Sequence, residues 1–302
     1  MLEAFRSIFN NNKERQMKAL TGLNSNEFSK LSETFGEILT QNKNSIKNRK
    51  RAIGGGSKHT LTLTEKLFFI LLYLKTYPTF DVMGAFFKVD RSTACRWVQD
   101  FIPILEEALG KEAVLPGRQI ESIEEFIDKF PEVEEVFRDG TERPTQRPGD
   151  SQIQKEYYSG KKKRHTHKNI ILSDTCLRIL ALSQTQPGKN HDYALFKEFN
   201  PQIPSHIVNW VDLGFQGIET NFPSLEVVIP QKKPRNKELT PEQKGENTMV
   251  ARVRVASEHA IAGIKRLNVV GHPFRNRISS FADTFMLLAC GLWNFHLKIS
   301  SG

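Results

Sequence analysis

The chain has 302 residues, of which 38% are hydrophobic and 21 are phenylalanine, a composition that excludes intrinsic disorder and suits about two folded domains. Its 43 Lys and Arg residues against 34 Asp and Glu residues give a net charge of +9, which favours a polyanionic partner, either nucleic acid or an anionic membrane surface. The N-terminal residues are polar where a secretory signal would be apolar, and the apolar stretch at residues 281–297 contains Asp283, Asn294 and His296. We therefore expect a cytoplasmic protein with a buried helix there rather than a membrane span.

Residues 1–57 are predicted to form a helical and basic N-terminal region that ends in a glycine-rich hinge. Helical patterns lie around residues 2–9 and 26–40, and a basic run at residues 47–51 precedes the Gly-Gly-Gly-Ser of residues 54–57. Because consecutive glycines favour neither helix nor strand, we place the first domain boundary at residue 57.

Residues 58–115 are predicted to form a helix-turn-helix domain. Thr62 and Glu65 have the spacing of a capping box at the start of a long apolar helix, which ends before Pro78. A short helix, a turn at residues 88–90 and a second helix follow, which is the order of a helix-turn-helix unit.

The second helix of that unit separates apolar from basic side chains. Asp90 is suited to cap its first turn, and Ala94, Val98 and Phe101 recur on one face. The first turns carry the side chains that we expect to contact DNA bases and phosphates: Arg91, Ser92, Thr93 and Arg96. An ordinary three-helix packing module with a solvated basic face is the alternative, and the basic side chains favour DNA.

Residues 116–302 are predicted to form a domain of the α/β (α+β) class. An acidic helical segment at residues 116–131 precedes three strand patterns, a helix, two more strands and two long helices around residues 240–270 and 279–298. This order is close to that of a ribonuclease-H-like fold, in which a mixed sheet is flanked by helices.

Three separated carboxylates in this domain are candidates for chemistry. Asp139 and Asp212 lie at predicted strand ends, each followed within two residues by glycine. Arg254, Glu258 and Lys265 share one helix face at offsets of four and seven, which would hold one carboxylate between two cations. A two-magnesium phosphodiester site requires such carboxylates, because hard cations prefer anionic oxygen ligands. Aspartate-glycine turns and a surface ion-pair stripe are the alternatives.

Several blocks of the sequence, taken in order, are similar to those of a known family. They are DGTERPTQRP, YYSGKKKRHTHKN, PGKNHD, DLGFQG, IPQKKP with ELTPEQK, and RVASEHAIAGIK. Together they resemble the catalytic domain of bacterial insertion-sequence transposases of the DDE superfamily. These transposases are relatives of the eukaryotic Harbinger elements and also carry an N-terminal helix-turn-helix. The resemblance implies that Asp139, Asp212 and Glu258 are catalytic and bind two Mg²⁺ ions, for which Mn²⁺ is expected to substitute.

The resemblance extends to the signature Tyr-x2-Arg-x3-Glu-x6-Lys around the glutamate. Arg254, Glu258 and Lys265 match it, whereas Ala251 stands at the tyrosine position, a departure that leaves the metal ligands in place. We expect Arg254 and Lys265 either to contact DNA near the active site or to orient Glu258.

Two further basic runs are expected to hold the DNA backbone, with a solvated lysine-rich face as the alternative. They consist of Lys161, Lys162, Lys163, Arg164, Lys232, Lys233 and Arg235.

Other polar residues are expected to have structural roles. His165 and His167 alternate on a predicted strand and are interpreted as packing or phosphate-bonding residues rather than zinc ligands. Asp192 is predicted to cap a helix, and Asp174 to lie in a turn. The cysteines, Cys95, Cys176 and Cys290, are too far apart for a zinc site and are each interpreted as small buried hydrophobic residues in a reducing compartment.

These expectations combine into a DNA transposase. It would bind the terminal inverted repeats of its element, cleave the ends by metal-dependent hydrolysis and transfer the 3′ ends to target DNA, as a homodimer or larger oligomer without a membrane partner or small-molecule cofactor. Two alternatives stay open: a sequence-specific DNA-binding protein derived from a transposase, and a metal-dependent DNA endonuclease without strand transfer.

Overall fold

The computed structural model describes residues 2–11, 13–44, 60–278 and 280–300. The predicted basic run at residues 47–51 and the glycine hinge at residues 54–57 lie outside these described residues. The chain divides into two compact units, made of residues 1–115, 266–271 and 291–302, and of residues 116–265 and 272–290. The division into three domains with boundaries at residues 57 and 115 stays a prediction.

In the described residues of the first unit, all regular secondary structure is helical. Its first six helices are α1 (Leu2–Asn10), α2 (Glu14–Thr21), α3 (Ser25–Asn44), α4 (Leu63–Thr76), α5 (Phe80–Phe87) and α6 (Arg91–Lys111). Helices α1 and α3 confirm the two N-terminal helical patterns. Helix α2 was not predicted, although its Met17 is fully buried, because eight residues give few turns in which a periodicity can be recognised.

The helix-turn-helix unit forms through the predicted capping residues. Thr62 and Glu65 make a capping box at the start of α4, and the Asp90 carboxylate accepts the Ser92 backbone N–H at 2.8 Å at the start of α6. Lys88 ends α5 with a φ of 56°, the left-handed conformation that closes many helices. The residues predicted for the inner face of α6, Ala94, Val98 and Phe101, are buried as expected.

The second unit is a mixed sheet flanked by helices. Its strands are β1 (Glu135–Pro144), β2 (Tyr158–Ser159), β3 (Arg164–Asp174), β4 (Ile179–Leu182), β5 (Gln186–Pro187), β6 (Val208–Trp210) and β7 (Glu226–Val228). Its helices are α7 (Ile123–Lys129), α8 (Ser151–Tyr157), α9 (Asp192–Phe199), α10 (Ile218–Asn221) and α11 (Pro241–Lys265). The predicted α/β class, with a helical region ahead of a mixed sheet, is therefore confirmed.

Two helices complete the chain. Helix α12 (Asn268–Gly271) belongs to the first unit, and α13 (Phe281–Ser300) contributes residues 281–290 to the second unit and 291–300 to the first. The predicted helix over residues 240–270 is thus two helices, and within the predicted helical segment at 116–131 only α7 forms. The short elements β2, β5, α8 and α10 were not predicted.

The strands of the second unit are ordered β2-β3-β1-β6-β7, and β4 and β5 also pair with β3. Strand β1 runs antiparallel to β3 and parallel to β6, and β6 runs parallel to β7. Strand β1 is therefore central in the sheet, with a paired strand on each side.

Apolar packing holds the segments around the end of β6 in place. Phe196 of α9, Val211, Phe215 and Ile218 form one buried cluster with Ile170 of β3. This cluster fixes α9 and the chain that follows β6 against the sheet.

The apolar stretch at residues 281–297 forms a helix as expected, whereas the three cysteines differ in burial. Among the helices that the structure describes, none is both long and apolar enough to span a membrane, in agreement with a buried helix at α13. Cys290 is buried, and burial raises the pKa of its thiol to about 12. The prediction was wrong for Cys176, which is exposed, and Cys95 is only partly buried.

Candidate active site

Asp139 and Asp212 come together where β6 ends beside β1. The last parallel pair joins Phe137 to Trp210. Asp139 lies two residues further along β1, and Asp212 lies two residues beyond the end of β6. Asp139 lies in the middle of β1 and not at its end as predicted, because β3 pairs with β1 well past this point, as far as Pro144. The end of β6 thus leaves room beside Asp139, which is where ligands gather in sheets with parallel strands.

The Asp139 carboxylate is held by α11. Its side chain is 18% exposed, and its Oδ2 lies 3.7 Å from an Nη of Arg254 and accepts a 3.3 Å hydrogen bond from Ser257 Oγ. Burial raises the pKa of the Asp139 carboxyl and the negative charge of Asp212 raises it further, while Arg254 opposes both. Two carboxylates therefore repel each other across this site.

Asp212 begins the short 3₁₀ helix Leu213–Phe215. Its Oδ1 accepts the Gly214 backbone N–H at 2.8 Å. A Cβ at Gly214 would lie 2.8 Å from that same oxygen, closer than real Cβ contacts allow. A side chain at Gly214 would therefore displace the Asp212 carboxylate from its present position.

Gly140 has a related role beside Asp139. Successive strand residues point to opposite faces of a sheet, so Asp139 faces α11 while Gly140 faces α9. A Cβ at Gly140 would lie 2.6 Å from Cγ of Asp192. Gly140 therefore allows a third carboxylate, that of Asp192, to approach β1 on the face opposite α11.

Glu258 does not lie between Arg254 and Lys265 as predicted. Helix α11 begins with reciprocal hydrogen bonds between Thr240 and Gln243. Further along the helix Ser257 is buried, whereas the next residue, Glu258, is exposed. Within the described residues Glu258 makes no ion pair or hydrogen bond. The expected clamp is absent because Arg254 pairs with Asp139 and Lys265 Nζ donates to the Glu142 carbonyl at 3.2 Å; the catalytic assignment of Glu258 stays a prediction.

Lys265 lies in a positive environment close to the carboxylates. Burial lowers the pKa of its ammonium group, and Lys162 and Arg143 lower it further. A cation that is partly desolvated among other cations is available to stabilise a phosphate group.

A second charged network lies on the α9 face of the sheet. Glu142 and Lys168 are directly opposite in the β1–β3 register, and Lys168 Nζ lies 3.5 Å from Glu142 Oε1 and 3.0 Å from Asp192 Oδ1. The prediction that Asp192 caps α9 was wrong, because His191 occupies the capping position. The Asp192 carboxylate instead turns toward Lys168.

Sequence reasoning missed Ser257, Lys168 and Glu142 as members of these networks. All three lie inside the sequence blocks that carry the family resemblance. Nothing local separates them from neighbouring polar residues, since their partners are more than twenty residues away in the sequence.

The residues predicted to bind DNA lie largely at the surface. At the start of α6, Arg91, Ser92 and Arg96 are exposed and Thr93 is half-buried. The two predicted basic runs of the sheet unit are also exposed. They lie in the turn before β3, at the first residue of β3 and in the loop before α11: Lys161, Lys162, Lys163, Arg164, Lys232, Lys233 and Arg235. Lys232 donates to Gln216 at 2.9 Å, and Lys233 pairs with Glu238.

The two histidines of β3 have packing roles, as expected. His167 is buried between Tyr157 and Phe274, whose rings lie edge-on at 5.1 and 5.5 Å. Burial lowers the pKa of its imidazole to about 4, so His167 is neutral at pH 7. His165 contacts Tyr158 in a similar edge-on arrangement at 5.6 Å.

The arrangement can be compared with known proteins. A model of the DDE superfamily endonucleases matches residues 138–294, and a model of the helix-turn-helix of DDE superfamily endonucleases matches residues 59–111. The chain is 30% identical over 271 residues, 89% of its length, to a protein of Microchaete diplosiphon named as a probable transposase for insertion sequence element IS702, of which the match covers 92%. No solved structure gives a significant match. The chain therefore belongs to the DDE superfamily of insertion-sequence transposases that carry an N-terminal helix-turn-helix.

Proposed function

We propose that this transposase binds the terminal inverted repeats of its element, hydrolyses the phosphodiester bonds at the ends with divalent metal ions and transfers the 3′ ends to target DNA. The observation that carries the proposal is the convergence of Asp139 and Asp212 at the end of β6, with the pKa of Asp139 raised by burial and by its neighbour. Carboxylates that are brought together against their own repulsion are suited to a cation.

The donor chemistry of the pair fits a hard divalent cation, and DDE endonucleases generally use divalent metal ions. Asp139 and Asp212 would hold the metal, which we propose to be Mg²⁺. Among the described residues no three His, Cys, Asp or Glu side chains are grouped closely enough for a metal site. A bound divalent cation lowers the pKa of a water or DNA hydroxyl and stabilises the leaving oxygen.

The protein's own groups have separate tasks in this mechanism. Ser257 and Arg254 fix the orientation of the Asp139 carboxylate through its Oδ2. Lys265 and Lys162 provide positive potential for the scissile phosphate. Holding the phosphate in line with its nucleophile accounts for most of what a phosphoryl-transfer site must do.

Recognition of the repeats is assigned to the start of α6. Arg91, Ser92 and Arg96 are exposed there on a helix whose opposite face is buried in the helical unit, the arrangement of a recognition helix. Replacing Arg96 by alanine is expected to weaken binding of end DNA about tenfold, since one base or phosphate contact contributes about 1–3 kcal/mol. A gel shift with unchanged affinity would remove Arg96 from the interface.

A homodimer or larger assembly on DNA is part of the proposal. Transfer of both ends of an element to one target requires the two ends to be held together. Two copies of one chain, each bound to one repeat, satisfy this requirement by symmetry.

Cleavage of DNA that carries the flanking repeats tests the proposal. With Mg²⁺ the native chain is expected to cut at the ends, and Asp212→Asn to cut at least about 10³-fold more slowly, since a lost metal ligand removes several kcal/mol of transition-state stabilisation. Calorimetry with Mn²⁺ should show weaker metal binding for Asp212→Asn and unchanged binding for Asp128→Asn, whose side chain is exposed on α7.

The same experiment separates the alternatives. Binding of the ends without cutting by the native chain would indicate a DNA-binding protein derived from a transposase. Cutting without joining of pre-cut ends to a target plasmid would indicate an endonuclease that lacks strand transfer.

A further inference from the structure

A cavity of about 240 Å³ in the second unit meets the carboxylate site at Gly214. Gly214 lines the cavity, and its backbone N–H is the one that Asp212 accepts. Asp192 lines it as well, with its carboxylate packed against Gly140, the residue after Asp139. A ligand in this cavity would thus be a neighbour of the phosphate that Asp139 and Asp212 act on.

The inner wall of the cavity is formed by buried charged groups. Lys168 Nζ donates to the Asn190 carbonyl at 2.7 Å and lies between the carboxylates of Glu142 and Asp192. The Glu142 side chain is only 6% exposed and also accepts from Thr166 Oγ1. This wall therefore carries more acceptors than donors.

One acceptor on this wall has a cation beside it but no hydrogen bond. Asp192 Oδ1 is buried and accepts no hydrogen bond, although Lys168 Nζ lies 3.0 Å away. Lys168 therefore meets the charge of this buried oxygen through an ion pair. The side chain of Asp192 is 17% exposed and its second oxygen, Oδ2, is not buried, so Oδ2 can accept an N–H or O–H group of a ligand in the cavity.

The rim of the cavity has the opposite character. Lys161 and Lys189 are both exposed and both line the opening. Exposed lysines at a nucleic-acid-processing site are suited to phosphate groups. A ligand that combines an anionic group at the rim with neutral N–H donors inside matches both parts of the cavity.

We propose that the cavity binds one nucleotide of the DNA end next to the cleaved bond, with its phosphate at Lys161 and Lys189 and its base toward Asp192. A phosphate group alone would be repelled by Glu142 and Asp192, whereas a base is neutral and offers ring and amino N–H donors. Removing a base from the stack costs least at single-stranded or damaged positions. This inference rests on the proposed cleavage of element ends and names a part of the substrate that the same site would recognise.

Gly160 is a position on the cavity wall where a large side chain can be added without a clash. It lies on the cavity wall, and a Cβ there would meet no atom within 4 Å. Gly149 is equally open but does not line the cavity. The variants Gly160→Phe and Gly149→Phe therefore add the same side chain inside and outside the proposed site.

The test uses the full chain, with end DNA in which 2-aminopurine replaces one base at a time near the cut, in the absence of divalent metal so that the DNA stays intact. Fluorescence should rise at one position when the native chain or Gly149→Phe binds, because the base leaves the stack, and should stay low with Gly160→Phe. Gly160→Phe is also expected to bind end DNA about tenfold more weakly than Gly149→Phe.

Cleavage by the native chain with Mg²⁺ is measured on the same DNA. Fluorescence that stays low at every position while the native chain cuts would overturn the nucleotide site and leave the proposed function in place. A rise that persists in Gly160→Phe would also overturn it. A native chain that neither binds nor cuts end DNA would overturn the proposed function, and the nucleotide site with it.

Discussion

The cations at the start of α6 and those beside the carboxylates of the sheet unit have opposite environments in this transposase. At the start of α6 in the first unit, Arg91 is 69% exposed and, among the residues that the structure describes, its one ion pair is with Asp81, at 3.7 Å. In the sheet unit the side chains of Lys168 and Arg254 are only 8% and 17% exposed, and each contacts carboxylates. Exposed ion pairs contribute about 0–1 kcal/mol to stability, whereas breaking a buried one costs about 3–5 kcal/mol.

The comparison shows that a net charge of +9 does not identify the cations that are available to DNA. Positive charge on α6 is solvated and can be transferred to a phosphate at little cost. Positive charge around Asp139 and Asp192 is already paired with the protein's own carboxylates, so a ligand must compete with existing contacts.

The largest effect is expected when the buried network of the sheet unit is broken. Lys168→Met keeps the straight side chain but leaves Glu142 and Asp192 without their cation. We expect a loss of about 3–5 kcal/mol in the free energy of unfolding, because two buried carboxylates would be uncompensated. Urea denaturation measures the loss, and hydrogen exchange of β3 assigns it to the sheet.

The matched controls are exposed cations. Lys161→Met in the sheet unit and Arg96→Met in the helical unit should each change stability by less than about 0.5 kcal/mol. Equal losses in all three variants would show that the two environments do not differ as described.

A smaller, pH-dependent effect is expected from His167. Burial lowers the pKa of this imidazole to about 4, against about 6.5 in an unfolded chain. Between these values the unfolded chain binds more protons, so the stability contribution is lost as pH falls from 6.5 toward 4, by at most about 3 kcal/mol. His167→Phe retains the contacts with Tyr157 and Phe274 and should flatten this part of the pH profile.

His165→Phe is the control two residues away on the same strand. Unfolding free energies measured from pH 7 to pH 4.5 should fall in parallel for this variant and the native chain. A native profile that is no steeper than that of His167→Phe would contradict burial of a neutral imidazole.

Features that depend on adjacent residues were predictable from the sequence, whereas those that depend on distant partners were not. The caps at Thr62 and Asp90 follow from residues within three positions of each other, and both were confirmed. The family resemblance named the blocks that contain Asp139 and Asp212, and the parallel pairing of β1 with β6 explains why these residues meet.

Helix α11 is an element whose orientation could not be predicted from local spacing. Its spacing places Arg254, Glu258 and Lys265 near one face, but a helical wheel does not specify which side is turned toward the sheet. The burial of Val250, Ser257, Ala260 and Ile264 decides this, so that Ser257 contacts Asp139. The role of Asp192 was missed for a similar reason, since Lys168 and Gly140 approach it only in the folded sheet.

The smallest predicted effect concerns Asp139, whose charge is buried without a full counter-charge. The pKa of this carboxyl is raised by burial and by Asp212, so its contribution to stability decreases as pH rises above the ordinary aspartate pKa and remains unfavourable at pH 7. Without metal, Asp139→Asn should therefore be more stable than the native chain at pH 7, and the difference should vanish below about pH 4. Thermal unfolding with and without Mg²⁺ tests this, because Mg²⁺ should stabilise the native chain and not the variant. Asp128→Asn, at an exposed position, should change neither value. Destabilisation by Asp139→Asn at every pH would mean that Ser257 and Arg254 compensate the charge fully, and the electrostatic contrast between the two units would then be confined to Lys168 and its partners.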